Sequence, residues 1–227
     1  MEREIEVHAY HGWGCDAQFW DPIKSVLSDH ILFKRADKGY FGGEFIPEFD
    51  ENSKVKVLFL HSYGVHWCPS EKKEKADIII ILNGFNSFHP LENPAKSRSK
   101  KILKGMVNQF KKDPKTVLEA FFANCFGSFG KILEPDLDWI NRSLLLKDLS
   151  LLHKTRLKLS NETKADWLVI DSEKDRIVPG SRGQELLAYL GADKYNKFED
   201  GVHAFPATNP VECIEIITEA FPIFKGK

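Results

Sequence analysis

Little in this chain points outward. Its 32 basic and 33 acidic residues leave a formal charge of −1, so no general affinity for nucleic acid or an anionic membrane surface is expected. No apolar run is long enough to span a bilayer. No positively charged leader precedes an apolar segment, so neither a transmembrane nor a secreted chain is expected. The four cysteines, Cys15, Cys68, Cys125 and Cys213, lack the C-x-x-C spacing of zinc and redox sites. They would suffice for two disulfides outside the cell, but without a leader reduced thiols in a cytoplasm are the expectation. Internal repeats and low-complexity tracts are missing as well. A monomer that uses no cofactor is expected.

What is present is 227 residues, enough for one large domain with a substantial core. Ile5 to Tyr10 reads as a strand, followed by an amphipathic helix ending near Ser28. Ile31 to Lys34 is a second strand and Val55 to His61 a third. Ala76 to Leu82, with its continuous isoleucine, is a strand buried on both faces. Strand alternating with helix predicts a parallel sheet with right-handed crossovers. The alternation stops near Asn86. From Lys96 to about Arg156 the pattern is helical, with breaks at Pro114, Gly127-Ser128-Phe129-Gly130 and Pro135. That is too long for an ordinary crossover. Residues 91–159 are therefore expected to form a helical cap over a core made of residues 1–90 and 160–227. Strand resumes at Ala165 to Asp171 and again at Tyr195 to Glu199. Helices are expected at Gly180 to Leu190 and Pro210 to Phe221, the last with proline in its first turn.

The third strand carries the central chemical signal, Leu60-His61-Ser62-Tyr63-Gly64. A serine on a sharp strand-to-helix turn presents its hydroxyl at the sheet edge, beside backbone N–H groups that can receive an oxyanion. The full pattern is G-x-S-x-G, and Leu60 stands in place of its first glycine. A bulkier elbow predicts a distorted turn unless the neighbouring strands give room. Asp175, just past a strand, can orient a histidine and stabilise its charged form. The alternative is a solvated acidic turn, and Asp171 and Glu173 are rivals for the role. His203 follows the last strand and has the pKa range of a general base. The order Ser62, Asp175, His203, each past a strand, is that of an α/β-hydrolase triad. His11-Gly12-Trp13-Gly14 ends the first strand, where the Trp13 and Tyr63 N–H groups could hold the oxyanion; otherwise it is a glycine turn capping a helix. No metal is expected, because His8, His11, His61, His66 and His203 lack zinc-pair spacing and acidic partners.

The cap is strongly polarised. Eight basic residues lie between Lys96 and Lys115 against one acid, Asp113. Such a run is usually a solvated face; here it also suits docking of an acidic partner, through Lys100, Lys101, Lys104, Lys111 and Lys112. Phe121, Phe122, Phe126 and Phe129 read as cap core or as an apolar wall for an acyl chain.

His11-Gly12-Trp13-Gly14 with Asp16-Ala17-Gln18-Phe19-Trp20, Asp175-Arg176-Ile177-Val178-Pro179, and His203-Ala204-Phe205-Pro206 with Asn209-Pro210 resemble motifs of the pimeloyl-[acyl-carrier protein] methyl ester esterases of biotin synthesis. The cap segment Glu119-Ala120-Phe121-Phe122-Ala123 is similar too. The resemblance runs from about His8 to Phe221. It implies an α/β-hydrolase fold: a mostly parallel twisted sheet of about six strands, helices on both faces and a helical cap. It implies Ser62 as nucleophile, His203 as base and Asp175 as its orienting acid. Trp13 and Tyr63 would hold the oxyanion, and Phe121, Phe122, Ala123, Asn124 and Cys125 would line an acyl channel. The partner would be acyl-carrier protein bearing a pimeloyl methyl ester, held by the basic cap. Leu60, the Val65-His66 pair where small residues are usual, and an expected loss of the leading antiparallel strands are departures from the family. They keep a general short-chain esterase or thioesterase, and a non-catalytic binding protein of the same fold, as alternatives.

Overall fold

The computed structural model describes residues 5–129, 139–160, 162–179 and 181–225. Gly130 and Pro135, two expected helix breaks, and Gly180, an expected helix start, lie outside these residues.

Among the described residues six strands form one sheet: β1 (Ile5–Tyr10), β2 (Ile31–Arg35), β3 (Val55–His61), β4 (Ile78–Leu82), β5 (Asp166–Ser172) and β6 (Lys194–Phe198). Their order is β2-β1-β3-β4-β5-β6, and each neighbouring pair is parallel. The expectation of a mostly parallel sheet is met by one parallel throughout these pairings. The centre is apolar, as a doubly covered sheet requires: β4 is buried at every position.

Side chains alternate along a strand, so Phe59 and Leu60 face opposite ways. Phe59 packs on Trp20 and Phe224, on the side of α1 (Asp21–Val26), α8 (Phe205–Thr208) and α9 (Pro210–Ala220). Tyr10, level with Leu60 in the register, packs edge-on against Trp67 of α2 (Gly64–Trp67), and α3 (Ser70–Lys75) follows. Helices therefore cover both faces. The helix α7 (Ser181–Leu190) packs on β5.

Between β4 and β5 stand α4 (Ala95–Lys112), α5 (Pro114–Phe126) and α6 (Arg142–Leu151). Asp113 ends α4 and starts α5: its Oδ1 accepts the Thr116 N–H at 3.1 Å, and Pro114 occupies the first turn. Asn141 caps α6 likewise through the Leu144 N–H. On α4, Leu103 and Phe110 are buried while Lys100, Lys104 and Lys111 are exposed, the amphipathic spacing read from the sequence. No helix among the described residues is long and apolar enough to cross a membrane.

Candidate active site

Three loops at the C-terminal edge of the sheet meet at Ser62. The serine follows β3 with φ +52°, in the left-handed region that a side-chain-bearing residue rarely occupies. Its N–H donates to the Leu82 carbonyl at 3.0 Å. Leu60 is fully buried and stays in register between Tyr10 and Ile81. The elbow is thus as sharp as the glycine-bearing pattern demands, and its room comes from elsewhere. A Cβ at Gly64 would overlap the Tyr10 carbonyl oxygen. One at Gly12 would come within 3.0 Å of the Ser62 Cβ. Two glycines after the strand ends supply the space that Leu60 does not.

His203 Nε2 lies 3.0 Å from Ser62 Oγ, and its Nδ1 lies 2.7 Å from Asp175 Oδ2. A carboxylate only accepts, so Nδ1 carries the proton and Nε2 accepts from the serine hydroxyl. The other Asp175 oxygen accepts the Ile177 and Val178 N–H groups at 2.7 and 2.8 Å, which fixes the carboxylate. All three residues are buried. The two rivals of Asp175 are engaged elsewhere. Glu173 is exposed and pairs with Lys197. Asp171 lies under α7, where it accepts the Tyr195 hydroxyl at 3.1 Å and leaves no space for a side chain at Gly183. Burial pushes its carboxyl up to about 7, against the Tyr195 hydrogen bond.

Two residues that sequence reading passed over hold His203 from behind. Its backbone carbonyl accepts from His61 Nε2 at 2.9 Å and from Asn83 Nδ2 at 2.8 Å. Burial, then the neighbouring His203, keep His61 well below the usual histidine range. His61 is therefore a neutral ring with its proton on Nε2, stacked on Phe19 at 4.4 Å. Asn83 follows β4 at φ +49°, a conformation asparagine tolerates, and also donates to Ser172 Oγ and the Val202 carbonyl. The faint signal for both was a polar residue at the end of an apolar strand.

Trp13 and Tyr63 flank Ser62 on the wall of one cavity. Among the described residues neither backbone N–H is taken by a protein acceptor, which leaves both free for an oxyanion. The Trp13 loop is tied to the helices above: its Nε1 donates to the Leu145 carbonyl at 2.9 Å, and its ring meets Phe121 edge-on at 4.9 Å.

The cavity measures about 350 Å³ and opens over Ser62. Phe85, Phe88, Leu103, Met106, Phe121 and Leu149 are among the apolar side chains of its wall. Arg98, Arg176 and Arg182 are its charged residues, and no carboxylate lines it among the described residues. Of the five consecutive residues expected to line an acyl channel, Phe121 alone does so. Phe122 and Cys125 are buried in the core, and Ala123 and Asn124 face solvent. A helix of 3.6 residues per turn cannot turn five neighbours to one side. Lys100, Lys101, Lys104, Lys111 and Lys112 are all exposed on α4, unpaired with any carboxylate among the described residues.

No protein-family model and no curated protein matches the chain. Solved structures do. It is similar to a thermophilic esterase from Thermogutta terrifontis at 14% identity, covering 100% of this chain and 92% of that one with a TM-score of 0.74. An esterase from Exiguobacterium antarcticum matches at 14% identity, 99% and 92% coverage and a TM-score of 0.69. An enol-lactonase from Burkholderia xenovorans matches at 15%, 97% and 90%, and 0.68. Such identities speak to architecture. The parallel sheet, the serine turn after β3 and likeness over the whole chain together give this protein the α/β-hydrolase fold.

Proposed function

We propose that the protein is a serine carboxylic ester hydrolase, and that its substrate is the methyl ester of a pimeloyl chain on acyl-carrier protein. The single observation that carries the hydrolase reading is the hydrogen-bonded line Ser62 Oγ, His203 Nε2, His203 Nδ1, Asp175 Oδ2 at 3.0 and 2.7 Å beneath an apolar cavity. Ser62 Oγ attacks the ester carbonyl carbon while His203 Nε2 takes its proton. The carbonyl oxygen becomes an oxyanion facing the Trp13 and Tyr63 amides. Collapse of this intermediate expels methanol, which leaves with the proton from His203, and an acyl-serine remains. Water attacks the acyl-serine, again giving its proton to His203, and the free carboxylate departs as Ser62 is reprotonated. Asp175 stabilises the imidazolium in both halves.

The finer substrate rests on the motif resemblance, supported by the size of the apolar cavity and by the unpaired lysines of α4. An acidic carrier would dock on that face by charge complementarity. The short-chain esterase alternative draws support from the esterases among the structural relatives. The two separate in one experiment. The ratio of kcat/KM for methyl pimeloyl carrier protein to that for a free p-nitrophenyl ester is compared between wild type and the triple variant Lys101→Glu, Lys104→Glu, Lys111→Glu. A carrier-specific enzyme is expected to lose about tenfold or more in this ratio, and the loss should shrink as salt is raised. An unchanged ratio refutes carrier docking on α4 and leaves the general esterase.

A further inference from the structure

Beside the acyl cavity lies a second one, of about 250 Å³. The two share Phe88, Pro90 and Leu152 as a common wall. The charged lining of the second cavity is of one sign. Lys96 and Lys100 enter from α4, and Lys154 and Arg156 from the segment after α6; no aspartate or glutamate lines it. Among the described residues none of these four cations pairs with a carboxylate. The imidazoles of His89 and His153 complete it. His89 Nε2 lies 3.0 Å from His153 Nδ1, and His89 Nδ1 lies 2.8 Å from Ser99 Oγ. At that N···N distance only one proton fits between the rings, so the pair carries at most one positive charge.

We propose that this cavity is a phosphate-binding subsite, its oxygens held by Lys96, Lys100, Lys154 and Arg156 and by an imidazole pair that takes up a proton as phosphate enters. Four cations without counter-ions in a partly enclosed space call for a compact anion with several acceptor oxygens. A carboxylate would offer two acceptor oxygens and one negative charge to a lining with more donors and more positive charges than these can meet. The imidazole pair adds a proton-dependent donor. Burial, then His153 and the charges of Lys100, Arg182 and Lys96, lower His89 to about 4. Burial and then Lys100 lower His153. A dianion offsets that field and favours the protonated pair, so binding and protonation are linked. The charged groups facing the pair are Lys96 and Lys100 from α4, Lys154 and Arg156 beside His153, and Arg182 from α7. Arg182 holds the His89 carbonyl at 2.9 Å and is itself paired with Glu185. The phosphate can be free, or it can be a phosphoryl group on a substrate whose acyl part lies across the shared wall.

The site is tested by isothermal titration of the whole chain with inorganic phosphate near neutral pH, at fixed ionic strength, in two buffers of different ionisation enthalpy. Saturable binding with net proton uptake is expected. The double variant Lys96→Gln, Lys100→Gln should weaken it about tenfold or more, and so should His153→Gln, a half-buried residue whose replacement spares the core. Lys115→Gln, an exposed change on α5, should leave it intact. Absence of saturable binding, or an equal loss in Lys115→Gln, overturns the proposal. The source is read by adding phosphate to hydrolysis assays. Competition confined to a phosphorylated ester places the group on the substrate. An effect on a neutral ester as well marks a separate anion. Either pattern supports the site. Phosphate binding is measured without turnover, so it stands or falls apart from the hydrolase reading of Ser62.

Discussion

At the scale of the residue, two aspartates four positions apart have opposite surroundings. Asp175 receives two backbone N–H groups and one imidazole. Asp171 receives one phenol and is otherwise closed in. Asp175→Asn would place a donor against Nδ1 and favour the wrong tautomer of His203, so kcat is expected to fall by about 10³–10⁴-fold. Asp171→Asn should leave kcat near wild type and change stability instead. The folded-state pKa of Asp171 is raised from 3.8 to about 7. The folded state therefore binds more protons between those values, and stability falls as pH rises through that window. Replacing the carboxyl should raise the urea midpoint at pH 8 and do little near pH 4. If Asp171→Asn loses turnover as Asp175→Asn does, the assignment of the acid is wrong. Both aspartates were visible in the sequence as candidates, Asp171 at the end of a strand and Asp175 just past it. What separates them, helix packing on one and two amides on the other, arises only when the loop folds.

At the scale of the element, strands were the most legible feature. Isoleucine at four successive positions of β4 and the run into Ser62 leave little choice of period. The elbow was legible except for its source of room, since Gly12 comes against Ser62, and Gly64 against Tyr10, only once β1 and β3 pair in register. The α5 helix was misjudged, because a motif read as five consecutive residues ignores helical rotation. His61 and Asn83 were missed because their partner, the His203 carbonyl, is 142 and 120 residues away along the chain. The two form a brace between the ends of β3 and β4 and the loop carrying His203. Asn83→Ala removes the donor to three acceptors and one side of that brace. A loss of about 1–3 kcal/mol in unfolding free energy is expected. A drop in kcat with KM little changed should accompany it, because the histidine is displaced while the acyl cavity is untouched. Equal kcat with lowered stability would leave Asn83 a purely structural residue.

At the scale of the whole molecule, the sheet places chemistry at one edge and a buried charge cluster near the other end. Glu6 on β1 accepts from His8, Ser53 and the Asp50 N–H and pairs with Lys34; Glu6 and His8 are fully buried, while the other partners reach the surface. Burial raises its pKa, but these partners outweigh burial and bring it down to about 2. Burial, opposed by Glu6, takes His8 from 6.5 to about 4. For His8 the unfolded chain binds the proton first, so stability is lost as pH falls from 6.5 toward 4. For Glu6 the loss continues from 4.5 toward 2. The wild type is expected to lose urea resistance relative to His8→Gln between pH 6.5 and 4. Parallel curves would mean that His8 is not held neutral.

That stable frame matters because it brings distant loops to one hydroxyl, and a fluorophosphonate probe reads this most directly. With intact-mass and peptide mass spectrometry, the wild type is expected to gain a single adduct on Ser62 that is absent in Ser62→Ala and much slower to form in His203→Gln. A wild type that stays unlabelled, or an adduct that persists when Ser62 is replaced, would contradict an activated serine at the end of β3.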